Sequence, residues 1–227
     1  METLKRALLL IVQLDPDLLE IVFLSLRVTC IGILIASVLG LGIALLLELR
    51  KIPGRGLIIS ILNTLTGLPP VVVGLVLYII LSRSGPLGFL GLLYTPVAMV
   101  IAQTVLATPI VAALSHAAIV AMGQPVRDTA LGLGATKFQA LLAVFNDTRY
   151  AIMASIAAAF GRVMAEVGAV LMVGGNIAHH TRVMTTSIAM EADKGDFELA
   201  IALGIILLSL SFLVNAALYG FQRMGRK

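Results

Sequence analysis

Long apolar stretches, separated by short polar connections, form the dominant pattern along this chain. Five of them reach the length of about 20 residues that an α-helix needs to cross the hydrocarbon of a bilayer. They are residues 20–47, 57–81, 94–114, 151–173 and 198–219. The pattern predicts five transmembrane helices. A shorter apolar run after Lys5 and Arg6 predicts a surface helix that precedes the first span.

Composition supports this prediction, because 59% of the 227 residues are hydrophobic and only 12% are charged. A soluble domain of this length has too little interior to hide so much apolar surface. We therefore expect an all-α polytopic membrane protein with one transmembrane domain over residues 1–227. The net charge of +4 fits basic side chains that face lipid headgroups, so membrane lipid is the expected contact and nucleic acid is not.

Basic residues in the connections indicate the orientation, because cytoplasmic loops are enriched in them. Nine Lys and Arg residues fall on the side of the C-terminus and five on the side of the N-terminus. The count predicts an N-terminus outside the cell and a C-terminus inside it. The side with nine includes Arg50, Lys51, Arg226 and Lys227.

A polar stretch over residues 115–150 separates the third and fourth spans and is too broken by glycine and proline to cross a bilayer. Pro125 and Asp128 are typical of the first turn of a helix, and Gly134 of its end. Thr136 and Gln139 then match a capping box that begins a second helix. The stretch predicts a hairpin of two short amphipathic helices at the cytoplasmic surface.

The hairpin resembles the cytoplasmic Glu-Ala-Ala loop of the permease subunits of bacterial and archaeal ABC importers. Asp128, Thr129 and Ala130 occupy its first three places, Gly134 its glycine and Val144 its isoleucine. Asn146-Asp147 replaces the Leu-Pro that ends the family pattern, so the exit from the hairpin departs from it. The resemblance implies that these five residues form the loop through which an ATPase subunit drives the permease.

A second resemblance extends over most of the chain. Leu-Pro-Pro-Val-Val-Val-Gly-Leu at 68–75 and Ser-Gly-Pro-Leu-Gly at 84–88 are similar to the oxyanion-importing branch of these permeases, which handles molybdate, tungstate and sulfate. The runs at 161–170, 173–177, 181–186 and 194–197 are similar to the tungstate type in particular. Molybdate permeases tend to have Gly-Glu-Phe-Gly-Ala at 165–169. The resemblance implies a tungstate permease, with molybdate or another oxyanion as the alternative.

The resemblance also implies the fold of a type I ABC importer permease and its assembly. Two copies of this chain would form a homodimer, with two ATP-binding subunits below it and an extracytoplasmic protein that delivers the anion. The chain has no Gly-x-x-x-x-Gly-Lys-Ser/Thr phosphate loop, so the partner subunit is expected to use the ATP. We expect no enzymatic activity, cofactor or metal site in the chain itself.

Ionisable residues within a span are costly and often functional. Arg162 and Glu166 are four residues apart in the fourth predicted span, so one helical face would carry both and they would neutralise one another. Two interpretations remain open: a gate or pathway element near the subunit interface, and a salt bridge that fixes helix packing.

Pro69 and Pro70 remove backbone donors from the second predicted span and so kink or break it. A broken helix near a two-fold axis would line the translocation pathway, whereas a kink would serve packing only. Both interpretations stay open here.

Two other functional classes fit less well. A membrane-embedded hydrolase needs a nucleophile and a base at membrane depth, but no predicted span contains histidine. An ATP-independent secondary transporter typically shows two related halves with paired broken helices, and the sequence has no convincing internal repeat. The adjacent His179 and His180 are expected in a solvated loop, because neighbouring side chains point apart.

Overall fold

The computed structural model describes residues 2–49 and 52–224, so Arg50, Lys51, Arg226 and Lys227 lie outside the described residues. The helices before the polar hairpin are α1 (Glu2–Val12), α2 (Pro16–Leu49), α3 (Arg55–Thr66), α4 (Pro70–Leu81) and α5 (Pro96–Gly132). Those after it are α6 (Lys137–Met164), α7 (Gly168–Gly174), α8 (Met184–Lys194) and α9 (Phe197–Met224). A short 3-10 turn (Gly88–Leu90) follows α4. Across the described residues the regular structure is entirely helical.

The five predicted spans correspond to three continuous helices and two bent pairs. α2, α5 and α9 are each long and apolar enough to cross a bilayer alone. The other two spans are α3 with α4, bent by 99°, and α6 with α7, bent by 59°. The all-α membrane fold is therefore confirmed, with five spans when each bent pair counts as one.

α5 is the central helix, and α2, α3, α6 and α7 all pack against it. Its buried side chains include Met99, Leu106 and Val111, which join one apolar core with residues of α2, α4, α6 and α7. The helix begins at Thr95, whose side chain accepts a hydrogen bond from the backbone N–H of Ala98. At the edge of the bundle, the predicted surface helix α1 packs against α9.

The fourth predicted span is not one helix, which corrects the expectation for residues 151–173. α6 ends at Met164 and α7 starts at Gly168, although no proline lies between them. The backbone carbonyl of Glu166 accepts a hydrogen bond from Thr185 Oγ1 at 2.8 Å. A side chain of another element thus satisfies a polar group that the helix break has freed, as a membrane-buried chain requires.

Reciprocal glycines bring α4 and α7 into close contact. A Cβ added to Gly74 of α4 would lie 2.8 Å from the Cα of Ala169, and one added to Gly168 would lie 2.7 Å from Val71 Cγ2. Both distances are too short for real carbon contacts, so each glycine is needed for the two short helices to approach.

Replacing Gly74 with alanine is expected to lower stability by about 1–3 kcal/mol, the usual cost of overpacking. The new methyl would meet the backbone of α7, which cannot move aside as a flexible side chain can. Gly204 in α9 has no atom within 4 Å of an added Cβ, so Gly204→Ala is the matched control. Thermal unfolding of the purified proteins in detergent compares the two. An equal transition temperature for both variants would contradict the close contact.

Candidate coupling hairpin and broken spans

A tight turn joins α5 to α6 at the tip of the polar hairpin. Gly134 has φ +87°, the N–H of Ala135 donates to the carbonyl of Ala130, and the N–H of Gly134 donates to that of Leu131. This is the bonding of a Schellman motif, in which glycine takes the left-handed position. On the other side, Thr136 and Gln139 form the predicted capping box. The predicted turn is confirmed.

The two arms of the hairpin are not the predicted short helices. They are the ends of α5 and α6, each of which extends without interruption from the membrane region. Pro125 lies inside α5 rather than at the start of a helix. Asp128 consequently lies near the C-terminal end of α5, where a carboxylate is electrostatically unfavourable, instead of in a favourable first turn. The prediction failed because a helix of adequate length continues past the bilayer surface.

The five hairpin residues chosen from the sequence separate into two groups. Asp128, Thr129 and Gly134 are exposed and Ala130 is half-buried near the tip. Val144 is only 3% exposed and belongs to a core cluster with Ala44, Ile119 and Ile152. A Cβ added to Gly123 of α5 would lie 2.5 Å from Val144 Cγ1. Val144 thus holds the two arms together, while the other four form the accessible surface.

An apolar groove lies beside the exposed motif residues. Its lining is Pro125, Val126, Thr129, Ala130, Leu133 and Ala143. Leu133 is 84% exposed at the tip, an unfavourable position for a leucine in contact with water. A groove of this kind next to a polar rim is typical of a protein contact.

An ion network at the base of the hairpin was not predicted. Glu48, near the end of α2, accepts hydrogen bonds at 2.8 Å from Arg127 of α5 through one oxygen and from Arg55 of α3 through the other. Arg55 Nη2 also lies 3.0 Å from His116 Nε2. The network connects the hairpin to the first half of the bent α3–α4 pair. Glu48 and Arg127 are 79 residues apart in sequence, which no local pattern reveals.

Glu166 lies in the break between α6 and α7 and has two partners there. Its Oε2 accepts a hydrogen bond from Arg162 Nη1 at 3.1 Å, and its Oε1 accepts the backbone N–H of Ala169 at 3.1 Å. The predicted ion pair is present, although Glu166 is outside the helix that carries Arg162. The carboxylate also satisfies one of the free N–H groups at the start of α7.

The two members of this pair differ in exposure. The Glu166 side chain is 4% exposed and that of Arg162 is 44% exposed. The carboxylate is therefore turned into the protein, while the guanidinium faces open space. For an anion that approached this break, the nearer charge would be positive.

Pro69 and Pro70 mark a true helix break. Pro69 is the N-cap of α4 and Pro70 its first residue, a position where the missing N–H costs no hydrogen bond. An added Cβ on Gly168 would lie 3.4 Å from both the backbone nitrogen of Val71 and Glu166 Oε1. The structure thus brings the proline break beside the Arg162–Glu166 break. The hairpin residues lie apart from them, at the other ends of α5 and α6.

A charged hydrogen bond connects the loop between α7 and α8 to α2. His179 Nδ1 lies 2.9 Å from Glu20 Oε2, and the candidate ligand atoms of Asp17, Glu20 and His179 all lie within 4.8 Å of one another. Arg182 lines the same shallow pocket. The hydrogen bond to Glu20 raises the pKa of His179, with Asp17 adding to the rise and Arg182 opposing it.

Replacing Glu20 with glutamine is expected to lower the pKa of His179 toward its ordinary value. Because the folded-state pKa is raised, the ion pair is present at low pH and is lost as pH increases through that pKa. Histidine NMR titration checks the shift, and hydrogen exchange of residues 177–183 against pH checks the loop. Glu198→Gln, which removes an exposed acid that pairs with Arg6, serves as the control. An unchanged pKa in Glu20→Gln would show that the pair does not form in solution.

Comparison with known proteins identifies the family. Residues 31–224 match the family described as binding-protein-dependent transport system inner membrane component. The chain is 39% identical over 221 residues to the tungstate uptake system permease protein TupB of Peptoclostridium acidaminophilum, with 97% of each chain covered. It is 44% identical over 204 residues to a probable anion ABC transporter permease protein of Haloferax volcanii, with 88% of each covered.

Solved structures agree on the fold. A chain of an amino acid ABC transporter matches with a TM-score of 0.72 at 21% identity, covering 95% of this chain and 97% of that one. A chain of the MetNI methionine ABC transporter, in inward-facing conformations, matches with a TM-score of 0.74 at 16% identity, covering 92% and 95%. This chain therefore belongs to the binding-protein-dependent transport system inner membrane components and has the fold of a type I ABC importer permease.

Proposed function

We propose that this chain is the permease subunit of an ABC importer for tungstate. The observation that carries the proposal is the 39% identity over nearly the whole chain to a tungstate uptake permease. A second tungstate uptake permease, of Campylobacter jejuni, is 33% identical over 219 residues. Molybdate or another oxyanion is the alternative, because the Haloferax relative is named only as an anion permease and a sulfate transport permease of Salmonella typhimurium is 30% identical.

The proposed importer contains two copies of this chain, two ATP-binding subunits and an extracytoplasmic anion-binding protein. ATP is hydrolysed by the separate subunits, a division of labour that fits the absence of a phosphate loop in this sequence. The apolar groove beside Asp128, Thr129 and Ala130 is the proposed contact with the ATPase. Its exposed Leu133 would be covered in that contact. In this arrangement the hairpin and the C-terminus face the cytoplasm and the N-terminus faces outward.

Long helices would transmit movement from the hairpin to the broken spans. α5 and α6 each continue from the hairpin into the membrane region, and α6 ends at Met164, two residues before Glu166. When closure of the ATPase dimer draws the hairpins together, α6 would move as a rigid rod against α7. The hinge would then be the break between α6 and α7, which lies beside the start of α4.

The exposure of the ion pair supports a role for the break in the pathway. A tungstate dianion would approach the exposed guanidinium of Arg162, while the buried Glu166 holds that guanidinium in place. The negative charge of Glu166 also partly neutralises that of Arg162, so the anion does not bind too strongly to be released. The gate and packing interpretations of the pair are therefore compatible, since the same carboxylate orients Arg162 and begins α7.

Reconstitution tests the proposal directly. The chain is placed in liposomes with its ATPase subunit, and ATP hydrolysis and tungstate uptake are measured with and without the loaded binding protein. We expect the loaded binding protein to stimulate both activities, and molybdate and sulfate to compete less well than tungstate. Preferred uptake of molybdate would establish the alternative substrate. Uptake without ATP would instead indicate a secondary transporter.

A further inference from the structure

A partly enclosed pocket lies at the base of the hairpin, on a different surface from the apolar groove. Its cavity volume is about 360 Å³, within the range of small-molecule sites. Its lining combines apolar side chains with five polar or charged ones, Glu48, Arg55, Gln124, Arg127 and Lys137. It shares no residue with the groove proposed to contact the ATPase, so the two are separate surfaces.

Positive charge prevails in this pocket. Three cations, Arg55, Arg127 and Lys137, line it together with the single carboxylate of Glu48. Glu48 neutralises part of this charge, because its two oxygens pair with the two arginines. The excess of cations remains in a recess with apolar walls, where electrostatic attraction is stronger than on an open surface.

Many hydrogen-bond donors of these cations are not used by the protein. A guanidinium has five N–H donors and an ammonium three. Arg127 uses one in its bond to Glu48, and Lys137 has no hydrogen bond or ion pair to any of the described residues. Gln124 adds an exposed amide to the same lining. The side chains that carry these donors line the same cavity.

Lys137 is also unfavourably placed for helix stability. It is the first residue of α6, where the positive end of the helix dipole disfavours a cation. An anion bound beside Lys137 would offset this cost. The lysine, the arginines and the cavity thus indicate the same chemistry.

The geometry points to an oxyanion site in this pocket, for a phosphate-like tetrahedral group held by Arg55, Arg127, Lys137 and Gln124. The inference rests on the proposed function only for the cytoplasmic location of the hairpin and for tungstate as one source of the group. The headgroup phosphate of an inner-leaflet lipid is the other source, with the same chemistry.

Occupation of the site would link three helices. Arg55 begins α3, Arg127 lies near the end of α5, and Lys137 begins α6. One anion bound to all three joins both arms of the hairpin to the first half of a bent span. Movement of the hairpin against α3 would then require the anion to leave.

Binding measurements on the permease–ATPase complex, without the binding protein, test the site. The complex is placed in nanodiscs of neutral phosphatidylcholine, and tungstate binding is measured by equilibrium dialysis with elemental mass spectrometry. Lys137→Gln is expected to weaken binding about fivefold, the upper effect of one exposed charge, and Lys137→Glu to abolish it. Both changes suit a helix start, so folding is preserved. Lys5→Gln, on α1 and outside the pocket, is the matched control.

The outcomes separate the two sources. Saturable tungstate binding that Lys137→Glu abolishes supports a free anion as the ligand. Any anion sites on the ATPase are the same in the wild-type and variant complexes, so they do not affect the difference between them. Retention of phosphatidylglycerol by the wild type but not by Lys137→Glu, seen by native mass spectrometry, supports a lipid headgroup. Equal binding of both ligands by wild type and Lys137→Glu would overturn the site. Dialysis does not depend on transport. Absence of binding in dialysis would therefore leave the proposed tungstate import intact, and absence of tungstate uptake in liposomes would leave a measured binding site intact.

Discussion

Replacing Glu166 with glutamine is expected to lower oxyanion uptake about tenfold while the importer still assembles. Glutamine keeps the side-chain oxygen that accepts the N–H of Ala169, so the start of α7 remains satisfied. The change removes the negative charge that holds Arg162 at 3.1 Å. A tenfold loss of uptake corresponds to about 1.4 kcal/mol. This energy is smaller than the cost of breaking a fully buried ion pair, because Arg162 is partly exposed.

The kinetic parameters distinguish a pathway role from a packing role. Without the carboxylate, Arg162 is a stronger anion site, so the anion binds more tightly and leaves more slowly. We expect the maximal uptake rate to fall, and the tungstate concentration for half-maximal uptake to fall with it. Tungstate uptake and ATP hydrolysis in proteoliposomes measure both. A purely structural role would lower the amount of assembled complex and leave the concentration dependence unchanged.

Glu191 provides a matched control for Glu166. It is 6% exposed and pairs with Lys194 at 3.1 Å, outside the broken spans. Glu191→Gln therefore removes a buried paired carboxylate of the same kind without changing charge at the break.

The double variant Arg162→Gln with Glu166→Gln removes both charges and is expected to release the anion faster than Glu166→Gln alone. Wild-type uptake in a well-folded Glu166→Gln importer would reject the role of the pair.

The spans and the hairpin turn were predictable because both depend on local sequence. Apolar length determines which segments cross a bilayer, and Gly134 with the Thr136 capping box determines the turn. A kink or break at Pro69–Pro70 was predictable for the same reason, since proline removes a backbone donor wherever it occurs; that it is a full break came from the structure. The Arg162–Glu166 pair followed from four-residue spacing, although the final geometry differs from a helix face.

The break after Met164 was not predictable, because its cause is tertiary. Thr185, in a separate helix, satisfies the freed carbonyl of Glu166. The close packing of α7 against Gly74 stabilises α7 in its new direction after the break. Glu48 is a further example, since its partners Arg55 and Arg127 come from two other helices. The sequence did not predict that α5 and α6 continue into the hairpin. Hydrophobicity indicates where a helix leaves the membrane, but it does not indicate where the helix ends.

Replacing Gly134 with valine is expected to abolish the stimulation of ATP hydrolysis by the loaded binding protein and to lower tungstate uptake at least about tenfold. A left-handed conformation costs a residue with a Cβ about 1–2 kcal/mol, and Gly134 has φ +87°. The turn would relax by changing its conformation, which redirects Asp128, Thr129 and the groove they border. We expect the permease to remain folded, because an added Cβ at Gly134 meets no atom within 4 Å.

Two further variants separate backbone strain from the added side chain. Gly132 is exposed in the last turn of α5, and a Cβ there also meets nothing within 4 Å. Gly132→Ala is therefore a matched control that is expected to stabilise the helix slightly and to leave uptake unchanged. Asparagine tolerates the left-handed conformation better than valine does, so Gly134→Asn tests the side chain with little strain.

The pattern among these variants determines how the hairpin acts. If Gly134→Asn retains coupling and Gly134→Val loses it, the conformation of the turn is what the ATPase requires. If both lose coupling while thermal unfolding of the permease is unchanged, the tip itself is the contact surface, and any side chain at residue 134 obstructs it. Normal stimulation in Gly134→Val would exclude the hairpin tip from coupling. The apolar groove would then need another partner to explain a leucine that is 84% exposed at residue 133.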